Sequence, residues 1–320
     1  MRPVQGLMNK IVPMKIFLFS RRFLIPFFIV LLLHFVYIEW QDWNAWKDEL
    51  KGKGLPSSLI YQWLLTRIAG SLLILSFVNS FFIAVVFYSH HNVRKERFIS
   101  SEFFSKWNLL AVILLSLTAF LYTSFAEPKN NIKTMELLKE IVWAKPGEQL
   151  ADDSLKITPR SSDYKKNPRL MNINELFHAK DSLRALEKNG KEFSSPYFTA
   201  GNSKLRTVES LISKKFALPF VIILFYFLGI FFGASFYKIH VIVPLLISFF
   251  ILLTGWYYVQ RVFEWFYHQQ HINAFLGANG TTIIFSLLVL VWFYVLKKYK
   301  LFKTEDSDEQ DDRSSMLDTH

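Results

Sequence analysis

Six stretches of the chain carry almost no charged residues, and polar, charge-rich segments separate them. They cover residues 23–40, 68–88, 107–126, 216–237, 241–260 and 281–296. Each is close to the length of about 20 residues that a helix needs to cross roughly 30 Å of hydrocarbon. The pattern therefore predicts an α-helical polytopic membrane protein with six transmembrane helices.

Within these stretches apolar residues follow one another without alternation, as in LLILSF at residues 72–77 and FVIILF at residues 220–225. The strands of a membrane β-barrel alternate apolar and polar residues, so the pattern does not fit a barrel. Lipid offers no partner for a backbone N–H, and a helix satisfies its own hydrogen bonds. Helical spans are therefore expected.

The polar segments divide the chain into four parts. Residues 1–126 form an amino-terminal membrane half with three spans, and residues 216–303 form a carboxy-terminal half with three more. Residues 127–215 form a polar segment between the halves. Residues 304–320 form an acidic tail, TEDSDEQDDRSSMLDTH, whose composition is typical of a disordered, solvated segment.

The segment 127–215 predicts a small α/β or β-rich unit. Two pieces, LKEIVWAK at residues 138–145 and DSLKITPR at residues 153–160, have an extended-looking pattern. Residues 174–189 instead predict a helix, with Leu176, Leu183 and Leu186 on one face and Gly190 at its carboxy-terminal cap.

The distribution of Lys and Arg predicts the orientation of the chain in the membrane. The net charge is +11, and the short segments at residues 1–22, 89–106 and 297–303 are rich in Lys and Arg. Cytoplasmic loops of membrane proteins collect these residues. Both termini are therefore expected in the cytoplasm, and the basic charge gives no reason to expect nucleic acid as a partner.

Recognisable catalytic patterns are missing from the sequence. No phosphate-binding GxxxxGK[ST] loop, HExxH or GxSxG motif is present, and the chain has no cysteine. The sequence therefore predicts a protein that is not an enzyme and has no cofactor, and any ATP hydrolysis is expected from a partner subunit.

One group of residues has the spacing of metal ligands. Glu264, His268 and His271 would share a helical face, and a carboxylate with two imidazoles suits zinc. The flanking aromatic residues indicate the simpler alternative of a wet aromatic belt at a membrane interface. The interpretation without metal is favoured.

The fourth predicted span contains small residues where a membrane helix could carry large ones. Gly229 and Gly233 are four residues apart, and Ala234 follows directly. Small residues let helix backbones approach closely in a membrane. This strip predicts a helix-packing contact, either with another span of the same chain or with a second subunit.

Three stretches together resemble the LptF/LptG (YjgP/YjgQ) family of lipopolysaccharide-export permeases. GIFFGA at residues 229–234 is similar to the family's G-A-P-L-G-A, with Phe231 in place of the proline. FAEPKNN at residues 125–131 resembles the family's proline-asparagine exit from the third span. Glu96 falls at the glutamate of the family's G-R-L-x-x-D-S-E loop, although the glycine and the G-R-L are absent here.

The resemblance implies a permease subunit of an ABC-type lipid exporter in the bacterial inner membrane, with residues 127–215 in the periplasm as a reduced jellyroll. Its partners would be a second, similar permease half, a cytoplasmic ATPase, the lipid, and a periplasmic bridge protein. By analogy, Arg94, Glu96, Arg97 and Phe98 would couple to the ATPase, and lipid would pass between the first and fifth spans. Lys47, Lys51 and Lys53 would bind the lipid headgroup.

A second function stays open at the level of the sequence. The same six-helix body could serve as a non-transporting scaffold or assembly subunit of a larger cell-envelope complex, with residues 127–215 docking its partner.

Overall fold

The computed structural model describes residues 16–50, 55, 57–143, 167–188, 201–248, 250, 254–269 and 271–298. Regular structure within these ranges is helical, and they contain no β-strand. Five helices are long and apolar enough to cross a membrane, namely Arg21–Gln41, Leu73–Glu96, Lys106–Ile141, Leu205–Ser235 and Ala274–Lys298. The prediction of a helical chain with apolar helices of membrane-spanning length is confirmed for five helices, and the sixth predicted span is not confirmed.

The helices are numbered in chain order. They are α1 (Arg21–Leu50), α2 (Ser57–Arg67), α3 (Leu73–Glu96), α4 (Lys106–Leu121), α5 (Glu127–Trp143), α6 (Ile173–Lys188), α7 (Gly201–Ser235), α8 (Ile242–Ile247), α9 (Thr254–His268) and α10 (Ala274–Lys298). Two π-helical segments join neighbours into longer rods, π1 (Ile68–Leu72) between α2 and α3 and π2 (Tyr122–Ala126) between α4 and α5.

The predicted fifth span, residues 241–260, is not one of the five long helices. Its residues belong to α8 and α9, and residues 249 and 251–253 between them lie outside the described ranges. Pro244 lies in the first turn of α8, where its missing N–H costs no helical hydrogen bond. Gly255 lies in the first turn of α9. Both residues suit the beginning of a helix better than its middle.

The helix α7 is longer than the hydrocarbon core of a bilayer. The helix α7 has 35 residues, which correspond to about 52 Å, against roughly 30 Å of hydrocarbon. The turn between α3 and α4, residues 97–105, marks one end of the bundle, called the loop end here. The other end, at which α7 begins, is called the opposite end.

The described part of residues 127–215 is helical. The expectation of extended structure in LKEIVWAK is wrong as far as Trp143, because α5 continues through it and buries Leu137 and Ile141 against Leu59 and Trp63 of α2. The piece DSLKITPR lies outside the described residues.

The predicted helix at residues 174–189 is present as α6, which begins at Ile173 and ends at Lys188. Asn172 and Glu175 form a capping box, because the side chain of each accepts a hydrogen bond from the backbone N–H of the other. Leu176 is fully buried against Val208 of α7, whereas Gly190 and the side chain of Leu186 lie outside the described residues.

The packing of α3 on α7 depends on the two glycines of the predicted strip. A Cβ added to Gly229 would lie 2.8 Å from Cγ1 of Val85, and one added to Gly233 would lie 2.4 Å from the carbonyl oxygen of Val86. The Ser89 hydroxyl donates to the Ile230 carbonyl oxygen at 2.7 Å, and Ala234 is fully buried. The strip therefore lies against α3 of the same chain.

Gly233→Leu is expected to destabilise the bundle. The added side chain meets backbone atoms of Val86 and His90, which cannot rotate away, so overpacking should cost about 1–3 kcal/mol or more. The measurement is thermal unfolding of the purified protein in detergent. The matched control is Gly255→Leu, since a Cβ there has nothing within 4 Å among the described residues. Equal melting temperatures for the two variants would contradict the proposed contact.

Candidate functional site

A cavity of about 520 Å³ lies between α3, α7, α9 and α10, in the half of the bundle nearer the opposite end. This volume is in the range typical of small-molecule sites, about 300–1,000 Å³. The helices α3 and α7 touch through Gly229 and Gly233 nearer the loop end. The cavity therefore lies between the other halves of the same two helices.

The part of the cavity closer to the loop end is apolar. Val78 of α3 and Val221 of α7 line it together with Phe225 and Trp256. The rings of Phe225 and Trp256 meet edge to face, with centroids 5.0 Å apart, and Trp256 also packs against Phe285 at 5.0 Å. These aromatic contacts hold the apolar walls in one arrangement.

The mouth of the cavity is charged. Lys214 Nζ lies 2.7 Å from Glu264 Oε1, which joins α7 to α9. Gln260 donates a hydrogen bond from Nε2 to the same oxygen at 3.3 Å and another to the Gly277 carbonyl oxygen at 3.2 Å. Glu127, at the start of α5, also lines the cavity. A molecule bound in this cavity would contact charged side chains at one end and apolar side chains at the other.

The pair formed by Lys214 and Glu264 sets the charge state of the carboxyl. Burial by itself would raise the pKa of Glu264, but the hydrogen bond and charge of Lys214, with a smaller contribution from Gln260, outweigh burial. The net result is a pKa of Glu264 below the ordinary value. The carboxylate is therefore ionised at neutral pH.

One polar side chain lies in the more apolar part of the cavity. The amide of Asn79 lines the wall formed by α3, beside Val78. Among the described residues, no group hydrogen-bonds to this amide. A half-buried amide without a partner among these residues is available to a bound molecule or to water.

The charged mouth falls where the bilayer surface is expected. Lys214 precedes the uncharged run that begins at Phe216, and Glu127 follows the run that ends at Ala126. Arg67 also precedes an uncharged run, and its guanidinium lies 5.5 Å from the ring centroid of Trp63. Long charged side chains near the ends of spans usually reach the interface. The cavity therefore begins beside the charged ends of these uncharged runs and continues along the runs.

A hinge formed by π1 and π2 lies beside the mouth. At Gly70 the backbone leaves the helical conformation, with ψ at −130°, which frees the Ala69 carbonyl oxygen. The Tyr122 hydroxyl donates to that oxygen, and Asn130 donates to it from Nδ2 at 2.9 Å. In π2, the carbonyl oxygen of Thr123 accepts from the Lys215 ammonium group. Side chains thus satisfy the carbonyls that the irregular backbone releases.

At the opposite end α9 packs closely against α10 and forms hydrogen bonds with α7. A Cβ on Gly280 would lie 2.3 Å from the ring of Phe263, so α10 approaches α9 very closely there. The Tyr267 hydroxyl donates to the Arg206 carbonyl oxygen at 2.7 Å, and Arg206 Nη1 donates to the Tyr267 carbonyl oxygen at 2.9 Å. Burial, together with the charge of Glu209, raises the pKa of Tyr267 to about 12, so this phenol stays protonated.

The residues predicted to couple to an ATPase lie together at the loop end. Arg94 and Glu96 are in the last turn of α3, and Arg97 follows in the left-handed conformation, with φ at 63°. The Arg97 N–H donates to the Val93 carbonyl oxygen at 2.7 Å. Arg94 and Arg97 are exposed, and Glu96 and Phe98 are half-buried. They form the last turn of α3 and the tight turn that follows it.

The rest of the loop end is a well-packed turn. The chain forms a 3-10 turn at Ser101–Phe104, and Ser105 caps α4. Phe17, which is only 3% exposed, contacts the rings of Tyr88, Phe103 and Tyr226. Its backbone N–H donates to Asn108 Oδ1 at 3.1 Å. Hydrophobic and polar contacts therefore connect this turn to α3, α4 and α7.

Other candidates from the sequence are not brought together. Lys51, Lys53 and the side chain of Lys47 lie outside the described residues. The helix α9 ends at His268, so His271 is not on the helical face expected for Glu264 and His268. Among the described residues, no three His, Cys, Asp or Glu side chains form a metal-binding group.

Sequence reasoning missed the cavity itself. Asn79, Glu127 and Lys214 were not singled out, and Glu264 was considered only as a metal ligand. The available signal was polarity at unusual places, an amide inside the second uncharged run and charges directly beside the third and fourth. No protein-family model matches the chain, and it has no match among curated proteins or solved structures.

Glu264→Gln is expected to lower stability in a pH-dependent way. The folded protein holds the pKa of Glu264 below its ordinary value of 4.5, so the pair stabilises the fold above that pH. The contribution of this ion pair to stability is up to about 1 kcal/mol for a partly exposed pair. It is lost as the pH falls below 4.5 and the carboxylate of the folded protein becomes protonated. Thermal unfolding of wild type and variant, at neutral pH and at pH values below 4.5, measures this difference in stability.

Lys214→Met serves as the partner variant and should lose the same stability over the same pH range. A difference between wild type and Glu264→Gln that persisted unchanged in acid would contradict an ionic origin.

Proposed function

We propose that this chain is a lipid-handling permease subunit of an ABC-type exporter. In this proposal it moves a lipid from the inner membrane toward the outer membrane, and a partner ATPase supplies the energy. The observation that carries the proposal is the cavity between α3, α7, α9 and α10, with its charged mouth and its apolar walls. An amphiphile is the class of ligand that matches both parts.

The position of the cavity supports this proposal. Its mouth lies level with the ends of the uncharged runs, and its apolar walls lie within them. A lipid headgroup could therefore bind Lys214 and Glu264 while the acyl chains remain in the hydrocarbon region. The hinge beside the mouth supplies backbone that can change its angle with small changes in conformation.

The loop end supports coupling to an ATPase in trans. Arg94 and Arg97 are exposed there, and the turn behind them packs on α3, α4 and α7 through Phe103 and Tyr226. In the orientation expected from Lys and Arg, with both termini in the cytoplasm, this end faces the cytoplasm. A force on the turn would thus reach the two helices that form the cavity.

The same orientation requires one more crossing between α7 and α10, and the region of α8 and α9 would provide it. In this proposal, residues 241–260 cross the membrane as an interrupted span, and the described part of residues 127–215 projects into the periplasm. A second permease half would then complete the transporter, and a bridge protein would receive the lipid.

Val221→Trp is expected to reduce the lipid that is retained. The indole would fill part of the apolar cavity, so the lipid that co-purifies in mild detergent should fall several-fold, as measured by mass spectrometry. The matched control is Val291→Trp, because Val291 is 65% exposed on α10. Equal lipid content in the two variants would contradict the assignment of the cavity.

A second measurement does not depend on the folding of a variant. A photoreactive lipid bound to wild-type protein should form cross-links with Phe225 or Trp256. Cross-links confined to exposed positions such as Tyr294 would equally contradict lipid binding in the cavity.

Glu96→Lys is expected to release the partner ATPase. Reversing one charge beside two exposed arginines should change a cytoplasmic docking surface without disturbing the core. The measurement is the amount of nucleotide-binding protein that co-purifies with the full-length chain. The control is Glu136→Lys, an exposed position on α5 near the opposite end. If no nucleotide-binding protein accompanies the folded wild type, the exporter proposal fails.

A scaffold or assembly subunit remains the second candidate, and one observation favours it. The helices α2 and α5 pair through Leu59, Trp63, Leu137 and Ile141 beyond the hinge, away from the loop end. Tyr61 and Leu65 of this pair are each 65% exposed. A stable periplasmic partner on this surface, with no lipid in the cavity, would favour the scaffold.

A further inference from the structure

The charges that line the cavity are not those of a site for a highly anionic headgroup. Its lining contains one ammonium group, that of Lys214, and two carboxylates, those of Glu127 and Glu264. Lys215 lies close behind Glu127, but its ammonium group donates to the Thr123 carbonyl oxygen. Arg261 is near Glu264 but does not line the cavity, and its guanidinium donates to the Tyr257 hydroxyl at 2.9 Å. Within the lining, a headgroup with several phosphates would therefore face two carboxylates and one cation.

The ion pair between Lys214 and Glu264 places a second requirement on the charge of the headgroup. A headgroup that enters the mouth must replace part of this contact, whose atoms are 2.7 Å apart. A phosphate alone could take Lys214 but would leave the Glu264 carboxylate beside another anion, which is costly at a half-buried site. A headgroup that carries both signs of charge supplies a new partner to each residue.

We propose that the cavity binds a zwitterionic lipid whose headgroup carries a primary ammonium group next to an anionic group, the chemistry of a phosphoethanolamine lipid. The ammonium group donates to the carboxylates of Glu264 and Glu127, and the phosphate accepts from Lys214. The acyl chains pack against Val221, Phe225 and Trp256, and the Asn79 amide faces the ester region. This inference rests on the proposed function, since it names the lipid that such a subunit would hold.

The number of donors on the headgroup matters as well as its charge. A primary ammonium group has three N–H donors and can serve two carboxylates at once. A quaternary trimethylammonium group has the same charge and no donor. The structure therefore predicts a preference between two lipids that differ only in methylation.

The test is a competition on delipidated, full-length wild-type protein. Phosphatidylethanolamine, phosphatidylcholine, phosphatidylglycerol and a bisphosphorylated lipid A are offered at equal concentration, the three phospholipids with identical acyl chains. Bound lipid is read by native mass spectrometry. Phosphatidylethanolamine should exceed phosphatidylcholine by about threefold and phosphatidylglycerol by about tenfold, as expected for one or two partly exposed ionic contacts.

The outcomes separate this inference from the proposed function. If phosphatidylglycerol or lipid A binds as well as phosphatidylethanolamine, the cavity holds lipid but the zwitterionic assignment is overturned. Equal binding of phosphatidylcholine would overturn the role of the ammonium donors. If none of the four lipids binds, both the inference and the proposed function are overturned.

Variants locate the preference in the cavity. Glu127→Gln and Glu264→Gln should each lower the ratio of phosphatidylethanolamine to phosphatidylglycerol by about threefold, because each removes one carboxylate. The control is Glu209→Gln, which removes an α7 carboxylate that pairs with Arg184 at 2.7 Å and does not line the cavity. An unchanged ratio in both cavity variants would overturn the assignment. The wild-type competition decides the question if either variant is unstable.

Discussion

The contact of backbone with backbone between α3 and α7 is the constraint on which the rest of the structure depends. At Gly229 and Gly233 the helices approach so closely that a methyl group would overlap Val85 or the Val86 carbonyl. Apolar surface gives little drive for helices to associate inside lipid, so such close packing carries much of the association. The contact fixes α3 and α7 over one half of their shared length and leaves room for the cavity in the other half.

The cavity follows from how this contact is combined with the outer helices. The helices α9 and α10 approach each other closely at Gly277 and Gly280, and Arg206 and Tyr267 connect α7 to α9 at the opposite end. Large aromatic residues such as Phe225 and Trp256 then fill the space between the fixed helices only in part. The result is a space with apolar walls, bordered by ring contacts on one side and by an ion pair at its mouth.

The hinge connects the cavity to the helices that extend past it. Lys214 lines the mouth, and the next residue, Lys215, reaches the Thr123 carbonyl of π2. Tyr122 of the same π-helical segment reaches Ala69 in π1. A change at the mouth and a change in the angle of α2 and α5 therefore involve the same few polar contacts. In a low-dielectric setting such contacts are costly to leave unmade.

Much of the fold could be predicted from local composition. Runs of about 20 uncharged residues have few alternatives to a membrane helix, and the capping pair Asn172 and Glu175 defines the start of α6. The candidate site could be predicted only in part. The sequence predicted a helix-packing contact at Gly229 and Gly233, but it left open whether the partner was another span of the chain or a second subunit. LKEIVWAK has an extended-looking pattern and is helical as far as Trp143, since α2 covers the apolar face of α5.

The sequence by itself determined which segments suit lipid and where small residues permit close approach, because both depend on the side chains of a single segment. Only the tertiary structure decided that the glycines meet α3 and that Asn79, Glu127, Lys214 and Glu264 line one cavity. These residues come from four different helices, and their distances depend on how the helices cross. The periodicity of a single segment does not determine the distances between residues of different helices.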